Sequence, residues 1–441
     1  MRSDEPFVTL TRRKGVRMGR PEPADHHSFA AECQQSSFTR SGRPHDAAPP
    51  HTPESVDADV TGAVVRTAQE VLAERAAEAA VCDPSFSDEL ARRVADFTLG
   101  GGKRMRPRLL WWGMRACGAA ETTAALRLGV ALELIQTCAL IHDDVMDHSR
   151  LRRGKPAVHI GLAEGAGLSP DSEQGSAFGT SAAVLAGDLA LVWADDTVAE
   201  TVLSAVQRRR IGGLWRAMRT EMVAGQYLDL RGQAGGGSSE AHTLRTACLK
   251  SALYSVERPV AIGAALAEAD ERTTEALCSA GKYAGIAFQL RDDLLGVFGD
   301  PWVTGKPSGD DIREGKSTYL LAVARSRAEA AGDHAALAVL GRVVGNNELN
   351  EQDLADVRGI LEVTGARAHV EGKAERLREQ AAHRLGEAVD VETGVGGRLL
   401  DLLRTVSGGR SPGSPATGTS HAHANPVSAT DFAAVEGGRT R

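Results

Sequence analysis

Aromatic residues are scarce in this chain: Phe, Trp and Tyr make up 4% of its 441 residues. Alternating β-branched runs and Asn-Gly hairpin turns are nearly absent, which removes the usual signals for a sheet. The six cysteines (Cys33, Cys82, Cys117, Cys138, Cys248, Cys278) form no CxxC pair. They read as reduced thiols of a cytosolic protein, and their spacing argues against structural zinc. The N-terminal "MRSDEPFVTLTRRKG" has no apolar core, so it is not a secretory signal. The most apolar stretch, "SAAVLAGDLALVWA" (181–194), is too short to cross a bilayer and carries Asp188, so no transmembrane segment is expected. Positive charge is not in excess either. The formal net charge of −7 argues against general nucleic-acid binding, and an anionic substrate would need cations placed locally.

Ala, Leu, Arg and Glu are abundant, and these strong helix formers predict an all-α chain. Residues 1–56 are rich in Pro, His, Ser and Arg without periodicity and read as a disordered tail, as does the Gly/Ser/Pro-rich end, 407–441. Between them, apolar residues recur at helical spacing over 57–80, 121–147, 181–205, 212–230, 241–268, 271–298, 316–330 and 368–390. Glycine-rich breaks at 100–107, 161–179 and 231–240 read as loops. The expectation is one all-α domain over 57–406.

Two segments concentrate acid. In "LIHDDVMDHSRLRRGKP" (140–156), an apolar helix ends in Asp143, Asp144 and Asp147. Asp143 and Asp147 share a face, about 6 Å apart along the axis, with no lysine three or four residues away. Such a pair costs stability unless a cation binds, and oxygen-only ligands at this spacing suit Mg²⁺ bridging to substrate phosphates. In isolation a DDxxD is as readily an exposed acidic helix end. Here the helix before it is too apolar for a surface, and Arg150, Arg152 and Arg153 follow, the fixed donors an anion needs.

The second segment, "FQLRDDLLGVFGD" (288–300), repeats the design with Gln289, Asp292, Asp293 and Asp300, followed by Lys306, Asp310, Asp311 and Lys316. Two apolar helices that each deliver paired aspartates could face each other across a cavity holding a polyanion bridged by Mg²⁺. Elsewhere, "LGGGKRMRPRLL" (99–110) sets three glycines before Lys103, Arg104, Arg106 and Arg108, which lets backbone approach an anion, although the spacing is not that of a P-loop. On mostly apolar helices, "LKSALYS" carries Lys250 and Ser251, and "VAGQYLDL" carries Gln226 and Asp229. A lone lysine there most often snorkels to the surface, but buried polar groups need partners, and Asp229 could pair with Lys250 or approach a metal.

Taken in order, "GGKRMRP", "LIHDDVMDHSRLRRGKPAVH", "GQYLDL", "KSALY", "FQLRDDLLGVFGD" and "GKPSGDDIREGKST" resemble the trans-isoprenyl diphosphate synthases (polyprenyl synthetases), over residues 101–318 and through most of the helical core. The resemblance implies the isoprenoid synthase fold, with helices around a deep central cavity, usually as a homodimer. It implies condensation of isopentenyl diphosphate with an allylic diphosphate (dimethylallyl, geranyl or farnesyl) and release of pyrophosphate, with three Mg²⁺ ions. By motif position, Asp143, Asp147 and Asp292 would hold metal, with Asp144 and Asp293 beside them. Arg152, Lys250 and Lys306 would grip the allylic diphosphate. Lys103, Arg106, Arg153 and Gln136 would form the isopentenyl diphosphate site. Ser251, Gln226, Asp229, Gln289 and Lys316 would complete the substrate contacts. One departure stands out: Gly296 occupies the third position of the second aspartate motif, with Asp300 four residues beyond it.

In the family, bulky aromatics just before the first cluster stop the growing tail at fifteen carbons. Here those positions are Cys138 and Ala139, with Leu134 and Ile135 a turn deeper. The expected product is therefore the twenty-carbon geranylgeranyl diphosphate, with a shorter or longer chain as the alternative. A class I terpene synthase would carry an NDxxSxxxE-type motif, which is absent, and a non-catalytic subunit would have lost its aspartate pairs, which are intact.

Overall fold

The computed structural model describes residues 51–234, 238–299, 308–346, 348–392 and 394–408. The chain is helical almost throughout this range. Its first helices are α1 (Pro53–Ala58), α2 (Val60–Cys82), α3 (Arg92–Leu99) and α4 (Met105–Ala116), followed by α5 (Thr122–Met146). A two-residue antiparallel ribbon, β1 (Leu151–Arg152) with β2 (Lys155–Pro156), leads to α6 (Val158–Gly165), α7 (Glu173–Glu200) and α8 (Ala205–Ala234). Next, α9 (Glu240–Ala247) runs through a π-helical stretch, Cys248–Glu257, into α10 (Arg258–Leu266). After α11 (Glu271–Phe298) come the short α12 (Asp310–Arg313), then α13 (Tyr319–Ala331), α14 (His334–Val343), α15 (Glu351–Val363), α16 (Ala366–Ala388) and α17 (Gly394–Val406).

The fold is organised around α5. A helix that is apolar on every side has to be buried, and α5 is covered from Ala124 to Ile141, including Leu128, Leu132, Leu134 and Ile135. It packs along α7, while α11 packs along α16 and against the π-helical stretch. A second apolar core joins α11, α13, α14, α15 and α16 through Leu290, Leu320, Leu340, Leu354 and Val370. The ordered body starts before residue 57: α1 begins at Pro53, Val56 is fully buried, and Asp57 accepts from Trp111 Nε1 (2.8 Å) and Arg115 Nη2 (2.9 Å).

Two expectations change. The glycine-rich 161–179 is a loop only over 166–172: it also holds the end of α6 and, from the Ser172 N-cap onward, the first turns of α7. Gly179 serves contact rather than chain reversal, since a Cβ there would lie 2.2 Å from the His159 carbonyl oxygen. The apolar 181–194 is consequently the middle of a 28-residue helix, and both α5 and α7 are long and apolar enough to cross a membrane. Of these, α5 is enclosed by the core, whereas α7 leaves Phe178, Leu185 and Val192 exposed. The described cysteines are all free thiols.

Candidate active site

Helix α5 delivers the first cluster at its C-terminus, where Asp147 ends the helix by donating its N–H to the Asp143 carbonyl (2.8 Å). Below it opens a cavity of about 150 Å³. Its walls include Gln136, Ala139, Leu140 and Asp143 of α5, Met222, Gln226 and Asp229 of α8, and Lys250, Ser251 and Tyr254 of the π-helical stretch. Gln289, Asp292 and Asp293 of α11, with Asp311, Lys316 and Tyr319, close the opposite side. Asp143 of the first cluster therefore faces the same cavity as Asp292 and Asp293 of the second.

Lys250 is central. Gly225 lets α8 approach closely, because a Cβ there would lie 2.5 Å from the Lys250 backbone nitrogen. Lys250 Nζ donates to Asp229 Oδ2 (2.7 Å) and Asp143 Oδ1 (3.3 Å), and Gln226 Nε2 also donates to Asp143 Oδ1 (3.2 Å). Burial works against the Lys250 ammonium, but Asp143 and Asp229 outweigh it and hold its pKa above the ordinary value. Burial likewise tends to raise Asp143, yet Lys250, Lys316 and Arg152 together keep it below the usual carboxylate range. Asp147 has too little relief: burial and the neighbouring Asp143 push it up to about 6 against the opposing pull of Lys316 and Lys250.

On α11, Ser251 Oγ donates to Gln289 Oε1 (2.6 Å), and Gln289 Nε2 donates to Asp293 Oδ1 (2.9 Å). The Tyr319 backbone N–H donates to Asp293 Oδ2 (3.0 Å). Burial still raises Asp293 to about 7. Lys316 bridges the two sides, 3.7 Å from Asp147 Oδ2, 3.8 Å from Asp311 Oδ1 and 2.6 Å from Glu314 Oε2.

At the other end of the cavity, Arg106 donates from Nη2 to Ser255 Oγ (2.8 Å) and lies 4.5 Å from the Tyr254 ring centroid. Tyr254 Oη donates to Gln136 Oε1 (2.9 Å). Burial lowers the Arg106 pKa and raises that of Tyr254. Arg104, in the left-handed region with φ 47°, pairs with buried Glu133 and donates to the Thr98 (2.8 Å) and Leu99 (3.0 Å) carbonyls. It thereby locks the glycine loop that carries Lys103 to α5 and to the end of α3. Arg153, in the turn of the β-ribbon, donates to the Gly101 carbonyl (3.2 Å), which brings it to that same loop.

Two expected placements are corrected. Arg152 does not line the cavity: the ribbon folds its guanidinium under the cluster, where Nε donates to fully buried Asp144 Oδ1 (2.8 Å) and Nη2 lies 3.5 Å from Asp143 Oδ2. Cys138 does not line it either. It is buried with Sγ 3.7 Å from His142 Nδ1, leaving Ala139 as the wall residue. Lys306 and Asp300 lie outside the described residues. Tyr254, Glu133 and Arg104 were not singled out for a role from sequence. Tyr254 was accessible, lying four residues after Lys250 on the same helical face.

Carboxylates outnumber lysines on the cavity walls, and Asp147 and Asp293 hold their protons unusually firmly. A donor set of this kind fits divalent cations. Among the described residues, no three acidic, His or Cys side chains converge to form a complete metal cage. The arrangement matches Mg²⁺ chemistry, in which one or two carboxylates bind the ion and phosphate and water oxygens complete the shell.

The model of the polyprenyl synthetase family matches residues 88–358. The chain belongs to the polyprenyl synthetase family. It is 32% identical to the geranylfarnesyl diphosphate synthase of Aeropyrum pernix, over 72% of this chain and 92% of that protein. It is also 32% identical to a (2E,6E)-farnesyl diphosphate synthase of Mycobacterium tuberculosis, over 66% of this chain and 74% of that protein. Among solved structures, geranylgeranyl pyrophosphate synthase from Corynebacterium glutamicum, complexed with isoprenyl diphosphate and magnesium, superposes with a TM-score of 0.72 at 35% identity. That alignment covers 79% of this chain and 99% of the other. The fold is the all-α isoprenoid synthase fold, and the protein is a trans-prenyltransferase acting on isoprenyl diphosphates. These relatives differ in the product they are named for.

Proposed function

We propose that this enzyme condenses isopentenyl diphosphate with an allylic diphosphate and makes geranylgeranyl diphosphate. The observation that carries the product is Ala139, a methyl group in the cavity wall one turn before Asp143. It leaves open the path that a bulky side chain would block.

Asp143 and Asp147 from one side and Asp292 from the other would hold Mg²⁺, three ions in all, which supply the positive charge a departing diphosphate needs. Lys250 and, from its motif position, Lys306 grip the allylic diphosphate. Arg152 braces Asp143 and Asp144 from beneath. Arg106 and Gln136, with Lys103 and Arg153 on the glycine loop, receive isopentenyl diphosphate. Gln226, Asp229, Ser251, Gln289, Asp293 and Lys316 position these groups. The allylic C–O bond breaks, the electron pair leaves with pyrophosphate, and the double bond of isopentenyl diphosphate forms the new C–C bond. A proton is then lost to the pyrophosphate. Leu140, Met222 and Ala247 on the walls shield the cation from water.

The enzyme acts as a homodimer through α7. Phe178, Leu185 and Val192, seven residues apart, make one exposed apolar stripe along that helix. Replacing the wall methyl tests the product assignment: Ala139→Phe shifts the main product from twenty to fifteen carbons, read by chromatography of the dephosphorylated alcohols. An unchanged product length removes Ala139 from the account.

A further inference from the structure

Beside the turn that carries Lys316 lies a second cavity, of about 170 Å³, with a character opposite to the first. Five aspartates line the catalytic cavity. The second is walled by the end of α8, by α9, the 315–318 segment, α13 and the end of α14, and among the described residues lining it none is acidic. Its cations are Lys316 and Arg325, and Gln233, Ser238 and Ser317 add neutral donors. In a chain of net charge −7, a cavity that gathers two cations and no carboxylate favours an anion.

Bare backbone keeps this cavity open. The Gly345 N–H donates to the Ile312 carbonyl (2.8 Å), and Gly315 and Gly345 both stand in the left-handed region, at φ 68° and 88°. A Cβ on Gly315 would lie 3.2 Å from the Gly345 Cα, so the two segments meet with no side chain between them. A Cβ on Gly232 would lie 2.9 Å from Ser238 Oγ and 3.3 Å from Ser317 Oγ, and its absence leaves room for both hydroxyls. The two cavities share a wall: Thr243, Lys316, Ser317 and Thr318 line both. On the catalytic side that wall is engaged. Lys316 Nζ lies 3.7 Å from Asp147 Oδ2, and the N–H of the next residue after the wall, Tyr319, holds Asp293 Oδ2 (3.0 Å).

We propose that the second cavity is a metal-independent binding site for a phosphate-class anion, held by Arg325 and Lys316 beside the glycine-lined turn. No carboxylate lines it to hold a bridging cation, so binding there needs no Mg²⁺. Lys316 cannot serve a ligand on both sides of the shared wall. An anion in the second cavity therefore draws it from Asp147 and lowers turnover. Binding is independent of how the catalytic cavity is read, whereas the effect on turnover rests on its being the diphosphate site.

The test is calorimetric titration of inorganic phosphate into the full-length protein with a chelator present, so that no divalent cation bridges phosphate to the aspartates. Wild type binds. Lys250→Ala, which removes a cation from the catalytic cavity alone, binds equally well. Arg325→Gln binds about 10- to 100-fold more weakly, the cost of losing a charge-assisted hydrogen bond, and Arg325→Lys regains part of that affinity. Where Arg325→Gln does not fold, Gly341→Phe decides: Gly341 lines the cavity, a Cβ there would meet no atom within 4 Å, and the added ring abolishes binding. In assays at saturating allylic diphosphate, phosphate slows wild type and leaves Arg325→Gln unaffected. The site is overturned by wild type that binds no phosphate, by wild-type affinity in Arg325→Gln or, in its place, Gly341→Phe, or by binding that Lys250→Ala abolishes. Binding that depends on Arg325 with equal inhibition of both proteins overturns the link through Lys316. A protein without prenyl transfer refutes the reading of the first cavity and leaves the titration standing.

Discussion

Asp147 carries the clearest sign of charge strain at the site. Burial and Asp143 raise it to about 6, against about 3.9 for an unfolded aspartate. A carboxyl group whose folded pKa is raised stabilises the native state less as pH climbs from the unfolded value through the folded one. Replacing it with Asn removes that penalty. The melting temperature of Asp147→Asn relative to wild type, without ligands, therefore rises between pH 4 and about pH 6.5 and then levels off. Mg²⁺ with pyrophosphate reverses the ranking, because wild type gains a ligand oxygen that the variant lacks. A ranking that stays flat with pH contradicts the electrostatic account. At this scale the sequence was informative about pairs on one helix: the four-residue spacing of Asp143 and Asp147 placed both carboxylates at the same helix end. It was silent on Arg152, whose direction depends on how the ribbon turns after Leu151. It was silent as well on Asp311, whose position depends on a hydrogen bond to Gly296 from another segment.

Among the elements, α7 makes the testable claim. Its buried face packs on α5 and α6, and its exposed stripe is the proposed contact between two copies. Leu185→Glu, at the middle of that stripe, turns dimer into monomer in light scattering at micromolar concentration while helical content stays unchanged. A variant that keeps the wild-type mass places the dimer contact elsewhere or denies it. Helical periodicity located α5, α11 and α16 to within about two residues, because each is long and presents a broad apolar surface. The start of α7 escaped it, because Gly175 and Gly179 read as breakers until the backbone of the neighbouring chain is known to run against them. The π-helical stretch under Lys250 has no composition signal at all. Only its packing between α8 and α11 distinguishes it from ordinary helix.

For the molecule as a whole, the sequence order of the motifs differs from their roles in space. Helices α5 and α11 are separated by more than a hundred residues, yet Asp143 of the one and Asp292 and Asp293 of the other line one cavity, and α8 with the π-helical stretch closes it between them. That convergence supports Mg²⁺-dependent chemistry at a cavity lined by carboxylates and lysines, with Ala139 proposed to set the depth available to the product. The direct measurement is incubation of the purified enzyme with Mg²⁺, labelled isopentenyl diphosphate and farnesyl diphosphate, followed by sizing of the product. The account predicts a twenty-carbon chain as the main product and none when Mg²⁺ is removed by chelation. Failure to elongate any allylic primer, or growth that runs well past twenty carbons, contradicts it.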